Sequence, residues 1–208
     1  MTKLFYIYDA LCGWCYGFSP VIHEFVATNK LDCEVLSGGM ITGNRVGPIG
    51  EVAGYIKTAY RDVEARSVVR FGKPFLEGTL EEGSAVFTSI PAAIAMAVFK
   101  SVMPKHQLDF ASEIQRAIYH QGKPPAEHET YSSIVTKYGI EPNSFKNLMG
   151  ETEYFDRAQD EFDRVAQLSV SGFPTLVLQK DNQLIAVARG FLPIQDLQAN
   201  YEQALTRV

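Results

Sequence analysis

Leu4-Phe5-Tyr6-Ile7-Tyr8-Asp9-Ala10-Leu11-Cys12-Gly13-Trp14-Cys15 is the stretch that decides the fold. Its first five residues form an unbroken apolar run, the pattern of a buried strand at residues 3–8. Two cysteines separated by two residues follow, and Cys15 to about Asn29 reads as a helix. A thiol at a helix start meets free N–H groups and the positive end of the helix dipole, both of which favour a thiolate. Such a pair can close a small disulfide ring and reopen it. Pro20 falls inside the helix, where it removes a hydrogen bond and predicts a kink.

Outward from this core, Cys33–Ser37 reads as a second strand closed by Gly38-Gly39, so the chain opens β-α-β. From Gly47 to about Leu168 the pattern becomes helical. Val52–Val69 is one helix, Phe71 to Phe75 an irregular link, and Ser89 a cap for a buried helix Ile90–Met103. Phe110, Ile114, Ala117 and Ile118 mark an amphipathic helix. Others are expected at about Thr130–Lys137, from Asn143 or Ser144 to Met149, and at Glu153–Leu168. Thr175–Leu178 and Leu184–Val187 then read as a hairpin around the turn Lys180-Asp181-Asn182, and Pro193–Thr206 as a final helix. The chain is therefore α/β, in the order β-α-β, helical insert, β-β-α. Residues 1–46 and 168–208 are expected to form one domain, and 47–167 an all-helical insertion subdomain.

The formal net charge of −5 argues against nucleic acid as a partner. Val86–Val102, the longest apolar run, is interrupted by Thr88, Ser89, Pro91 and Lys100, and a membrane span needs about 20 mostly apolar residues. No membrane partner is expected. Met1-Thr2-Lys3 lead straight into the strand without the apolar stretch of a secretion signal, so the expected location is cytoplasmic. In a reducing compartment a CxxC is catalytic or metal-binding rather than a structural staple. Zinc at Cys12 and Cys15 would need two more ligands. Cys33 is the only other cysteine, and His23, His106, His120 and His128 show no paired spacing, so no metal is expected. Cys33 reads as a small buried hydrophobe, and His23 as a packed or surface residue.

The order of elements, with Gly172-Phe173-Pro174-Thr175 opening the third strand, resembles the thioredoxin-like fold with a large helical insertion. Among such proteins it resembles the DsbA-like family of thiol–disulfide oxidoreductases, in its FrnE-like branch. The resemblance covers the topology of nearly the whole chain, whereas its specific part is confined to the two motifs. It implies a protein disulfide oxidoreductase in which Cys12 is an exposed nucleophile and Cys15 a more buried resolving thiol. The pair would cycle between dithiol and disulfide through a mixed disulfide. It further implies a cis Pro174 facing the dithiol, with Phe173 and Trp14 contacting substrate. Phe71, Phe75 and Phe87 would line a groove walled by the insert. The substrate would be a protein or small-molecule disulfide or dithiol. A cellular reductant or oxidant would recycle the pair, with glutathione a candidate cosubstrate and no other cofactor implied.

Two departures from the family pattern stand out. The buried carboxylate that thioredoxins and DsbA place six residues before the nucleophile is Tyr6 here, and Asp9 is the remaining candidate for proton transfer, unless it only caps the turn. Gly13-Trp14 brings neither charge nor imidazole, so a moderately reactive dithiol, more reducing than that of DsbA, is expected. Two other readings stay open. One is a glutathione-dependent transferase or isomerase of the kappa-class or chromene-carboxylate isomerase type, which places a serine where Cys12 stands. The other is a non-enzymatic redox-sensing holdase.

Overall fold

The computed structural model describes residues 2–181 and 183–206. Asn182 of the expected turn, and Met1, Arg207 and Val208 of the expected terminal segments, lie outside them. Strand β1 (Thr2–Tyr8) pairs in parallel with β2 (Asp32–Ser37), Tyr6 opposite Val35. On its other edge β1 pairs antiparallel with β5 (Thr175–Lys180), Tyr6 opposite Leu176. The last strand, β6 (Gln183–Arg189), pairs antiparallel with β5 with a register irregularity at Leu176/Val177, giving the order β2-β1-β5-β6.

Both faces of this sheet are covered, which is why β1 carries no polar alternation. Leu4 and Tyr6 pack with Ile22 and Phe25 of α1 (Gly13–Asn29) and with Leu197 and Tyr201 of α9 (Ile194–Thr206). The Phe25 and Tyr201 rings meet edge-on at 5.3 Å. Phe5 and Ile7 face the other way, onto Leu36, Val177 and Val165 of α8 (Thr152–Gln167). Each such buried side chain is worth roughly 1.5–3 kcal/mol relative to exposure. The last helix of the 47–167 stretch is thus also a layer over the sheet.

The remainder of that stretch comprises a two-stranded ribbon and six helices. The ribbon pairs β3 (Gly47–Pro48) with β4 (Val86–Phe87). The helices are α2 (Ala53–Arg66), α3 (Leu80–Glu82), α4 (Ile90–Val102), α5 (Gln107–Tyr119), α6 (His128–Ser132) and α7 (Pro142–Met149). Ala92 through Phe99 are all buried, so α4 is the central helix, apolar on every side. Phe99 stacks on Phe110 of α5 at 4.0 Å.

Several local expectations shift. Helix α1 starts at Gly13 rather than Cys15, because Cys12 is its cap, and it runs through Pro20 without a break. A 3₁₀ turn at Ile49–Val52 precedes α2, and a π-helical turn at Pro74–Thr79 replaces part of the irregular link. The segment read as Thr130–Lys137 divides into α6 and a 3₁₀ turn at Val135–Tyr138. Cys33 is half-buried, and burial pushes its thiol up to about 12.

Candidate active site

Cys12 occupies the N-cap of α1, with φ −91° and ψ 107°. Its Sγ accepts the Cys15 N–H at 3.2 Å, doing what a serine or threonine oxygen does at other helix starts. The Cys12 thiol also reaches the Phe173 carbonyl at 3.5 Å, across 161 residues of chain. The Phe173–Pro174 peptide is cis, and Pro174 O accepts Gly190 N–H at 2.7 Å. The Phe173 ring lies against Gly38, where an added Cβ would come within 2.2 Å of it. That approach requires glycine.

All three cysteines are free thiols. Cys12 is 6% exposed and Cys15 fully buried, so Cys12, read as an exposed thiol, in fact lies just below the surface. Burial pushes the Cys15 thiol well up, and the neighbouring Cys12 adds to this.

Asp9 is 2% exposed. Its carboxylate accepts Leu11 N–H at 2.9 Å, Met40 N–H at 2.8 Å and the Ser89 hydroxyl at 3.0 Å. Burial raises its pKa, and these three bonds oppose the rise. The Ser89 hydroxyl therefore braces Asp9, and accepts Ile41 N–H at 2.9 Å, instead of capping α4. Gln115, 1% exposed on α5, donates through Nε2 to the carbonyls of Asp9 at 3.2 Å and Cys12 at 3.5 Å. Tyr6, standing in the carboxylate position of related enzymes, donates to Cys15 O at 3.5 Å.

Beside Cys12 opens a cavity of about 310 Å³ whose wall includes Trp14, Ile41, Phe71, Phe87, Tyr119 and Phe173. Phe75, expected in that wall, sits one layer back, fully buried against Phe71 and Tyr119 at 5.8 and 5.2 Å. Trp14 is half-buried, with Phe191 5.9 Å away and the Arg66 guanidinium 5.3 Å from its ring. His23 belongs elsewhere, hydrogen-bonded to Ser112 at 2.8 Å.

Sequence reading missed Ser89, Gln115 and Tyr119. Gln115 carried a signal: it follows Ile114 and lies two residues before Ala117 in an amphipathic segment, and a buried amide must find partners. Among the described residues no group of three or more His, Cys, Asp or Glu could hold a metal ion. No helix among them is long and apolar enough to cross a membrane.

Residues 79–202, more than half of the chain, match the DSBA-like thioredoxin domain family. No curated protein matches the chain. Among solved structures, it is similar to a proposed protein disulfide isomerase from Nitrosomonas europaea, with 27% identity and a TM-score of 0.87 over 99% of this chain and 98% of that one. It is similar to the cytosolic disulfide reductase DsbM from Pseudomonas aeruginosa, with 27% identity and a TM-score of 0.82 over 99% of this chain and 100% of that one. The structure of DsbM with GSH matches at 26% identity and a TM-score of 0.79, over 98% of this chain and 99% of that one. The chain belongs to the DSBA-like thioredoxin domain family and is a DsbA-like protein disulfide oxidoreductase.

Proposed function

We propose that the protein reduces disulfides through a Cys12/Cys15 cycle in the cytoplasm, with glutathione as the recycling thiol. One observation carries this reading: Cys12 Sγ takes the Cys15 N–H at 3.2 Å while lying beside Phe173 and the cis Pro174, at the edge of an apolar cavity. The Cys12 thiolate attacks a substrate disulfide, one substrate sulfur leaves as a thiolate, and a mixed disulfide remains. Cys15 then displaces the second substrate sulfur and closes the Cys12–Cys15 disulfide. Two glutathione molecules reopen it, leaving as oxidised glutathione. The likeness to a cytosolic disulfide reductase and to its structure with GSH supports the direction, the compartment and the recycling thiol.

The order of steps has a physical basis. Burial and the neighbouring Cys12 both keep the proton on Cys15. Once Cys12 is tied into the mixed disulfide it carries no charge, its share of that effect disappears, and Cys15 ionises more readily when needed. When Cys15 expels substrate, the negative charge shared with the Cys12 sulfur lies at the α1 N-terminus, beside the Cys15 N–H. Asp9 acts through positioning in this scheme, its carboxylate committed to Leu11, Met40 and Ser89.

The test is glutathione-dependent reduction of insulin and of a small disulfide. Cys12→Ser is expected to abolish turnover, and Cys15→Ser to accumulate a mixed disulfide with substrate or glutathione, seen as added mass. Equal, mild losses in both variants would contradict the assigned roles.

A further inference from the structure

Three tyrosines line the cavity beside Cys12, and they differ in what their hydroxyls do. Tyr55 stands exposed at the mouth, and Tyr60 accepts a hydrogen bond from Arg61 Nε at 3.5 Å. Tyr119, the last residue of α5, is only 3% exposed, and its hydroxyl has no hydrogen-bond partner among the described residues. Ser37 Oγ is, among those residues, the buried side-chain oxygen or nitrogen that is both sealed from solvent and unpartnered. The Tyr119 hydroxyl is therefore not sealed in protein, and the residue lines the cavity.

Its ring is held in place by Tyr16 at 5.5 Å and by Phe71 and Phe75 at 5.2 Å each. Buried hydroxyls are almost always hydrogen-bonded, so an unpaired one on a residue lining the cavity with Cys12 marks where a ligand acceptor belongs. After burial itself, the charges of Cys12, Asp9 and Cys15 push the phenol's pKa further up. It stays protonated and can only gain by donating.

We propose that Tyr119 is a catalytic residue of the exchange, donating a hydrogen bond to the sulfur that leaves when Cys12 attacks a disulfide. This rests on the reading of Cys12 as the nucleophile. In that step the Cys12 thiolate forms a bond to one substrate sulfur while the substrate S–S bond breaks. Cys12 is oxidised to the mixed disulfide, and the departing sulfur is reduced to a thiolate carrying the electron pair. No proton need be transferred. Tyr119 keeps its own and lowers the energy of the departing anion in a largely apolar cavity.

The test compares leaving groups. Fully reduced enzyme and its Tyr119→Phe variant are mixed with bis(2-hydroxyethyl) disulfide or with 2,2′-dithiodipyridine, and single turnovers are followed by the fluorescence of the one tryptophan, Trp14. An alkyl thiolate needs stabilisation on departure, whereas the pyridine thiolate spreads its charge into the ring. Loss of a hydrogen bond to a charged sulfur should slow the alkyl disulfide about 10- to 100-fold. The dipyridyl disulfide should change by less than about threefold, given its better leaving group. The variant should keep the wild-type unfolding midpoint, because the deleted hydroxyl bonds no protein group. An equal loss on both disulfides, or no loss on either, would overturn the proposal. Turnover retained in Cys12→Ser would instead overturn the nucleophile assignment, and with it the role of Tyr119.

Discussion

Two loops meet at the Cys12 sulfur, and they are held in different ways. The turn from Asp9 to Cys12 is tied by hydrogen bonds from distant chain: Met40 at 31 residues' separation, Ser89 at 80 and Gln115 at 106. The loop Gly172-Phe173-Pro174 is tied by the Thr175 hydroxyl on Gly172 O at 2.8 Å, by Gly190 on Pro174 O, and by the Phe173 ring on Gly38. Hydrogen bonds from distant chain hold the turn at Cys12, whereas the loop beside it combines two hydrogen bonds with the close packing of Phe173 on Gly38. Two of the three long-range braces on the nucleophile's turn, Ser89 and Gln115, come from the helical insert. The insert therefore does more than wall a groove: it fixes the geometry of the CxxC.

The largest effect should come from removing the hub of the first loop. Asp9→Ala strands two backbone N–H groups and the Ser89 hydroxyl in a buried site, and should cost about 3 kcal/mol or more at neutral pH. Denaturant unfolding measures it; a loss below about 1 kcal/mol would show that water or repacking satisfies those donors.

Disturbing the second loop should cost less stability and more function. Gly38→Ala places a methyl within 2.2 Å of the Phe173 ring, which must turn away. Overpacking of this kind costs about 1–3 kcal/mol. Disulfide exchange should fall, while alkylation of Cys12 by iodoacetamide continues at the wild-type rate. Impaired alkylation would mean that the two loops are not independently held.

The smallest effect sharpens the comparison through pH. Burial raises the Asp9 carboxyl above its ordinary 3.8 in the folded protein. Between that ordinary value and the raised one, the native state binds more protons than the unfolded chain, so this group's contribution to stability falls as pH rises. Its stabilising share is complete below the unfolded value and is lost as pH rises through the folded one. Asp9→Asn removes the titration. The stability of wild type relative to Asp9→Asn should therefore be greatest near pH 3 and decline towards neutrality. A difference independent of pH would show that the carboxylate ionises as freely inside as outside.

Much of the site was legible because its signals are local. The apolar run of β1, the CxxC at a helix start and the Phe173-Pro174 entry to β5 each lie within a few consecutive residues, where periodicity and punctuation speak directly. Ser89 shows the limit. Before an apolar helix it reads as a cap, yet its hydroxyl donates to Asp9 and its oxygen accepts the N–H of distant Ile41 rather than those of α4. Tyr119 was illegible too, since an aromatic residue at a helix end reads the same whether it packs in a core or lines a cavity beside Cys12.

By itself, the sequence determined most of the elements, their order and the placing of a CxxC at a helix start, since backbone propensity and side-chain period act over short stretches of chain. Tertiary structure alone decided what surrounds those thiols. It set Phe173 O against Cys12 across 161 residues, tied the Asp9 carboxylate to Leu11, Met40 and Ser89, buried Cys12 to 6% exposure and left the Tyr119 hydroxyl without a protein partner among the described residues. These outcomes depend on which groups packing brings together and which polar atoms it leaves for others to satisfy, and neither is set by near neighbours in the chain.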